Sequence, residues 1–174
     1  MPPGAWLTTL TAWPTQQCCQ GVTMLIEVSY FKQETLYTCG AAACRMLLSH
    51  YGMDKNESEI ADALGITPEE GCRSDTLKDY LASDGLAIEL KSGFSRTEES
   101  IHTLKAALTA KIPVIVEVNR DIYDDVTPRM RITVKWESPA KGYSYHFILA
   151  TGFTEAYICF NDPHEAIGPN RLSV

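Results

Sequence analysis

Apolar positions recur at helical spacing through the first two-thirds of the chain and at strand spacing through the last third. From Cys39 to Tyr51 the run CGAAACRMLLSHY is rich in good helix formers, and Ala43, Met46, Leu47 and Tyr51 share one face of it. Gly52 follows, where a helix commonly stops. Asn56 is placed to cap a short helix through Leu64, with Glu59 at its third position and Gly65 closing it. Ser74 is placed to cap another, with Leu77, Tyr80 and Leu81 inward and Gly85 at the stop. A longer helix starts at Thr97, where Ile101, Leu104 and Leu108 form an amphipathic stripe.

After Pro113 the period changes. Val114 to Val118 is short and β-branched, as a buried strand is, and Ile132 to Trp136 alternates apolar with polar. His146–Thr151 and Ala156–Phe160 are two further strands, with Gly152 to Glu155 as the turn between them. Leu86 to Leu90 reads as an extra strand between helices, and the tail at Gly168-Pro169-Asn170-Arg171 as a closing turn or a stretch short of a last strand or helix. Helices followed by strands predict an α+β fold, with an N-terminal helical half packed on a C-terminal antiparallel β-sheet.

At 174 residues the chain has the size of one domain, and it carries no internal repeat. Residues 1–23 hold no charged side chain, and their apolar positions are broken by Thr8, Thr9, Thr11 and Pro14. That is neither a basic n-region nor a continuous h-region, so they read as a flexible N-terminal arm ahead of a single domain over 24–174. Met24 is a candidate natural start. Hydrophobic residues at 45% and charged residues at 21% exclude a disordered chain. A net charge of −7 with no basic stripe makes nucleic acid and anionic membrane poor partners. No run approaches the roughly 18 consecutive apolar residues of a membrane span, so no membrane insertion is expected. Without an export signal the expected localisation is a reducing cytoplasm. The six cysteines (Cys18, Cys19, Cys39, Cys44, Cys72, Cys159) then read as predominantly reduced thiols, with Cys44, Cys72 and Cys159 as small buried hydrophobes. Cys18 and Cys19 are adjacent, without the gap that zinc ligands use, so no metal is expected.

The chemistry-bearing residues are Gln33, Cys39-Gly40, His146 and Asp162. Cys39 stands where a helix begins, and the unpaired N–H groups and dipole of a helix start favour a thiolate. Gly40, lacking a side chain, would let a substrate carbonyl approach the backbone. Gln33, six residues before Cys39, would bring its amide N–H₂ beside the Cys39 N–H, two donors for one oxyanion. His146 opens a strand, and a hairpin returning sixteen residues later sets Asp162 beside it to fix the imidazole tautomer. His164 is the rival base, but residues 162 and 164 of one strand share a face, whereas the base must lie across from the aspartate.

The sequence Gln33-Glu34-Thr35-Leu36-Tyr37-Thr38-Cys39-Gly40-Ala41-Ala42, then Tyr145-His146-Phe147, then Asn161-Asp162-Pro163, resembles the C39-type cysteine peptidases. These are papain-like peptidases that include the leader-processing domains of bacterial bacteriocin exporters. The resemblance runs from Gln33 to Pro163 and implies a papain-like cysteine peptidase fold. It further implies Cys39 as nucleophile, His146 as base, Asp162 as its orienter and Gln33 as oxyanion-hole donor. It implies a peptide or protein substrate and no cofactor. Thr38 stands where exporter domains most often have Asp, and residues 119–143 form a longer, more polar connection than a simple strand link requires. The leading expectation is a cysteine peptidase working through a thioester. Two alternatives stay open: an acyltransferase or transamidase using the same thioester, and a catalytically silent peptide-binding module. Peptide specificity and oligomeric state leave no mark in the sequence.

Overall fold

The computed structural model describes residues 21–91, 98–119, 145–164 and 169–173. The elements run β1 (Met24–Leu25), α1 (Cys39–His50), α2 (Glu57–Leu64), α3 (Ser74–Ser83), α4 (Glu98–Thr109), β2 (Val114–Asn119), β3 (Tyr145–Phe153), β4 (Tyr157–Asn161) and β5 (Pro169–Ser173). Helices precede strands, as the change of period predicts. The expected N-terminal arm (save its last three residues), the 119–143 connection after Asn119 and the 132–136 strand lie outside the described residues.

The described strands belong to one antiparallel sheet with β3 at its centre. One edge of β3 is shared: β2 pairs along Tyr145 to Ala150, and β1 takes over at Gly152 and Phe153. The other edge carries β4, which β5 extends. Gly152 lies where β1 crosses most closely. A Cβ there would press on the Met24 carbonyl oxygen and meet Leu25 Cα at 3.1 Å, so only glycine admits the strand.

Both faces of β3 are covered. Phe147 and Leu149 point into a core with Ala41, Ala43, Met46, Leu47 and Leu48 of α1 and with Ile60, Leu77 and Leu81 of α2 and α3. Ala150 packs from the other face, with Leu108 of α4, Ile26 and Ile158, while Ile148 meets Phe160. The expected single packing of helices on one face is therefore extended by α4 on the opposite one. This explains the unbroken apolar run of β3, since a strand buried on both sides has no solvent face to leave polar.

Several local expectations shift. Asn56 caps α2 as expected, with the Glu59 carboxylate accepting its backbone N–H at 3.2 Å, and Gly65 closes the helix at φ 65°. The cap of α3 is Arg73 rather than Ser74, because the Ser74 hydroxyl is spent on the Glu117 carboxylate of β2. β3 continues through the predicted turn at Gly152-Phe153. The chain reverses at Thr154 to Ala156, closed by the Thr154 N–H on the Tyr157 carbonyl at 2.8 Å. Leu86 to Leu90 forms no strand. Leu86 and Ile88 pack against the helical core, with no ladder partner among the described residues, so period-two burial arises here without a strand. The tail adds β5, which the sequence reading does not include.

Candidate active site

Cys39 is the first residue of α1. Thr38, its N-cap, makes no capping hydrogen bond: its hydroxyl pairs with the Thr35 hydroxyl at 3.0 Å and accepts the Thr35 N–H at 3.1 Å. The first amides of α1 are thus not capped by Thr38, and their partial positive charge faces the Cys39 region. Gly40 is buried, and its missing side chain makes room for Cys72. A Cβ on Gly40 would stand 2.5 Å from Cys72 Sγ and 3.4 Å from Phe147 Cδ2.

The β3–β4 hairpin delivers His146 and Asp162 to each other, as their sixteen-residue separation predicts. His146 Nε2 lies 2.8 Å from Asp162 Oδ1, with the two side chains only 3% and 0% exposed. The same Asp162 oxygen accepts the His164 backbone N–H at 2.7 Å, so His164 meets the aspartate through its main chain. With Nε2 committed to Asp162, the other ring nitrogen is left for Cys39, whose thiol is hydrogen-bonded to His146. The Phe147 backbone N–H also reaches the sulfur.

The electrostatics follow from that chain of contacts. Burial pushes the Cys39 thiol up, but the hydrogen bond and charge of His146, helped by the Phe147 N–H, outweigh burial and bring it below the ordinary thiol value. Burial pushes the His146 ring down, yet Asp162 and the Cys39 sulfur carry it up to about 10. A thiol moved down beside an imidazole moved up is the direction that favours thiolate and imidazolium together. The neighbouring thiols go the other way. Burial raises Cys44, and burial with the charges of Cys39 and Glu117 pushes Cys72 up to about 12, so both stay protonated at neutral pH.

Gln33 is buried and tied to the same hairpin, its backbone N–H donating to the Pro163 carbonyl at 2.9 Å. Its side-chain amide donates to the Thr35 carbonyl at 2.6 Å, and its carbonyl oxygen is buried without a hydrogen-bond partner. Unpaired buried acceptors cost about 1–3 kcal/mol and are uncommon away from sites that a ligand or water completes. The structure thus gathers Cys39, Gly40, His146 and Asp162 at the start of α1 and the open end of the hairpin, with Gln33 tethered to Pro163. The sequence reading missed Cys72 as a neighbour of the site and Glu57 beneath its loop. Neither has a local signal, since each arrives from another element.

Cys39, Cys44 and Cys72 are free thiols, whereas Cys159, expected as a reduced buried thiol, is disulfide-bonded. Linear spacing does not say which sulfurs meet in a fold. Among the described residues no helix is long and apolar enough to cross a membrane, and no group of three or more His, Cys, Asp or Glu is placed to hold a metal ion.

No curated protein matches the chain. Among solved structures, a protein from Bacillus anthracis described as a C39-like peptidase superposes with a TM-score of 0.53 at 17% identity, covering 86% of this chain and 88% of that one. A double glycine motif protease from an AMS/PCAT transporter, solved with its leader peptide, aligns at 13% identity and a TM-score of 0.45 over 87% and 83% of the two chains. The peptidase domain of Streptococcus ComA, a bi-functional ABC transporter, aligns at 14% identity and a TM-score of 0.42 over 86% and 85%. The first of these agrees with an α+β, papain-like fold. The sequence model described as the Peptidase_C39 like family matches residues 25–171, nearly the whole chain, and the protein belongs to that family.

Proposed function

We propose that the protein is a cysteine peptidase that hydrolyses a peptide bond in a peptide or protein substrate, with Cys39, His146 and Asp162 as its catalytic residues. The observation that carries this reading is the buried relay from the Cys39 thiol through the His146 ring to Asp162, with thiol and imidazole displaced in opposite directions. A binding module has no use for so costly an arrangement of buried charge. In the proposed cycle the Cys39 thiolate attacks the scissile carbonyl carbon, and the electron pair moves onto the oxygen. The Gln33 amide and the first N–H groups of α1 stabilise that oxyanion. One Gln33 amide proton is engaged on Thr35, which leaves the second for the substrate. The C–N bond then breaks as the His146 imidazolium gives its proton to the leaving amine, leaving a thioester. Water, giving a proton back to His146, attacks the thioester and releases the acid and the thiolate. Asp162 keeps the ring oriented and its cationic form stable throughout.

The test is the rate of iodoacetamide alkylation against pH, with the modified cysteine mapped by mass spectrometry, followed by a peptide-library digest. Cys39 is expected to react selectively, with an inflection below the ordinary thiol range that His146→Ala removes, and Cys39→Ala is expected to abolish peptide cleavage. If Cys39 reacts no faster than Cys44 and His146→Ala changes nothing, the catalytic reading fails. Products carrying an added amine in place of water would instead mark acyl transfer from the same thioester.

A further inference from the structure

One buried ionisable group takes no part in the chemistry above. Glu57 is the first residue of α2, and its side chain is wholly buried rather than turned to solvent. Its Oε1 accepts the Glu34 backbone N–H at 2.7 Å, and its Oε2 is buried without a hydrogen-bond partner. The Thr38 hydroxyl lies close enough to favour the charged form, as does Arg45, while Glu34 opposes it. Arg45 stacks over the Phe31 ring at 4.1 Å from its centroid and reaches Glu34 Oε1 at 3.9 Å. As a space-filler this carboxylate is a poor choice, because an apolar group of the same volume would be no less stable there.

What Glu57 holds is the short turn between Gln33 and Cys39. That turn is tied at its start by the Gln33 N–H on Pro163, one residue from Asp162. Glu57 grips the next residue through the Glu34 N–H and borders the last through Thr38. We infer that Glu57 is a positioning residue for the oxyanion-stabilising turn: by fixing the Glu34 N–H it orients Gln33 and the start of α1 toward the substrate carbonyl. It does not touch the substrate. The inference rests on the peptidase reading of Gln33 and Cys39.

Two reactions of Cys39 separate the possibilities. Alkylation by iodoacetamide develops no oxyanion, whereas acylation by a p-nitrophenyl ester passes through one and needs no peptide specificity. Glu57→Ala is expected to slow ester acylation about 10- to 100-fold, the scale of a small misplacement of catalytic groups. It is expected to leave the alkylation rate and its pH profile unchanged. Glu57→Gln keeps an oxygen for the Glu34 N–H and is expected to restore acylation. Glu57→Asp, one methylene short, is expected to behave as Glu57→Ala and replaces it should the alanine variant fail to fold. Equal loss of alkylation and acylation would show general damage to the Cys39–His146 pair and overturn the inference, as would wild-type acylation in Glu57→Ala and Glu57→Asp. If Gln33→Ala fails to slow acylation, the oxyanion reading falls and this inference with it. If the wild type acylates but cleaves no peptide, the peptidase reading fails, while the comparison of Glu57 variants still decides the inference.

Discussion

Asp162→Asn isolates what one buried charge does to the nucleophile. Asparagine has nearly the same volume and keeps an acceptor for the His164 N–H and for His146 Nε2, so what leaves is the negative charge. Two consequences for the thiol oppose each other. Asp162 by itself disfavours a thiolate, but burial, the His146 hydrogen bond, the His146 charge and the Phe147 N–H all act on Cys39 more strongly. The indirect consequence is stronger. Burial favours a neutral His146 ring, and Asp162 is the chief reason the ring stays cationic up to about 10. A hydrogen bond to a charged group contributes about 1.5–3 kcal/mol, and each pH unit of displacement corresponds to about 1.4 kcal/mol. His146 is therefore expected to titrate about 1–2 pH units lower in the variant. The thiol, deprived of imidazolium, moves up. In the alkylation assay the Cys39 inflection moves toward the ordinary thiol range. In peptide turnover the alkaline limb, where His146 no longer holds a proton for the leaving amine, moves to lower pH. An alkylation inflection that stays put or moves down would mean that direct repulsion by Asp162 outweighs its support of the imidazolium, and the reasoning would be wrong.

Other outcomes follow from the same geometry. Gln33→Ala is expected to lower kcat about 100- to 1,000-fold with little change in KM, while the pH profile of Cys39 alkylation stays where it is; equal losses in both assays would assign Gln33 to structure alone. Gly152→Ala forces a side chain onto the Met24 carbonyl and is expected to cost about 1–3 kcal/mol, read as a lower midpoint in thermal unfolding, with an unchanged midpoint counting against the close β1–β3 crossing. Glu57 provides a pH test of stability. Burial, with the Glu34 charge, raises its carboxyl against the pull of Thr38, the Glu34 N–H and Arg45, so the folded state holds the proton more tightly than the unfolded one. Ionisation therefore weakens the fold as pH rises from the unfolded value near 4.3. Glu57→Gln, uncharged throughout, should gain stability relative to wild type as pH rises from acid to neutral; a difference that does not vary with pH in denaturant titrations would refute the shift.

Much of the molecule follows from local sequence. The helix from Cys39, the Asn56–Gly65 helix and the strand from His146 carry periodicity, caps and stops within a dozen residues. Local preferences and tertiary packing agree in all three. The His146–Asp162 pair is legible for a related reason: a hairpin is the shortest route by which two strand ends meet, so counting residues suffices to place them together. Other features depend on which surfaces meet. Leu86–Leu90 shows the alternation of a strand, but only a neighbouring strand supplies a ladder, and the helical core took its apolar side instead. The apolar run of β3 suits burial on one face or two, and the packing of α4 against Ala150 decided for two. Cys39 and His146 lie far apart in the chain, and no spacing rule brings a helix start to the mouth of a strand; closure of the fold does that, and with it moves the thiol down and the imidazole up. Glu57 stands in the first turn of α2, and nothing in its local spacing signals burial. Its burial under the Gln33–Cys39 turn comes from the packing of α2 on α1, where the need to satisfy one backbone N–H outweighs the ordinary preference of a carboxylate for water.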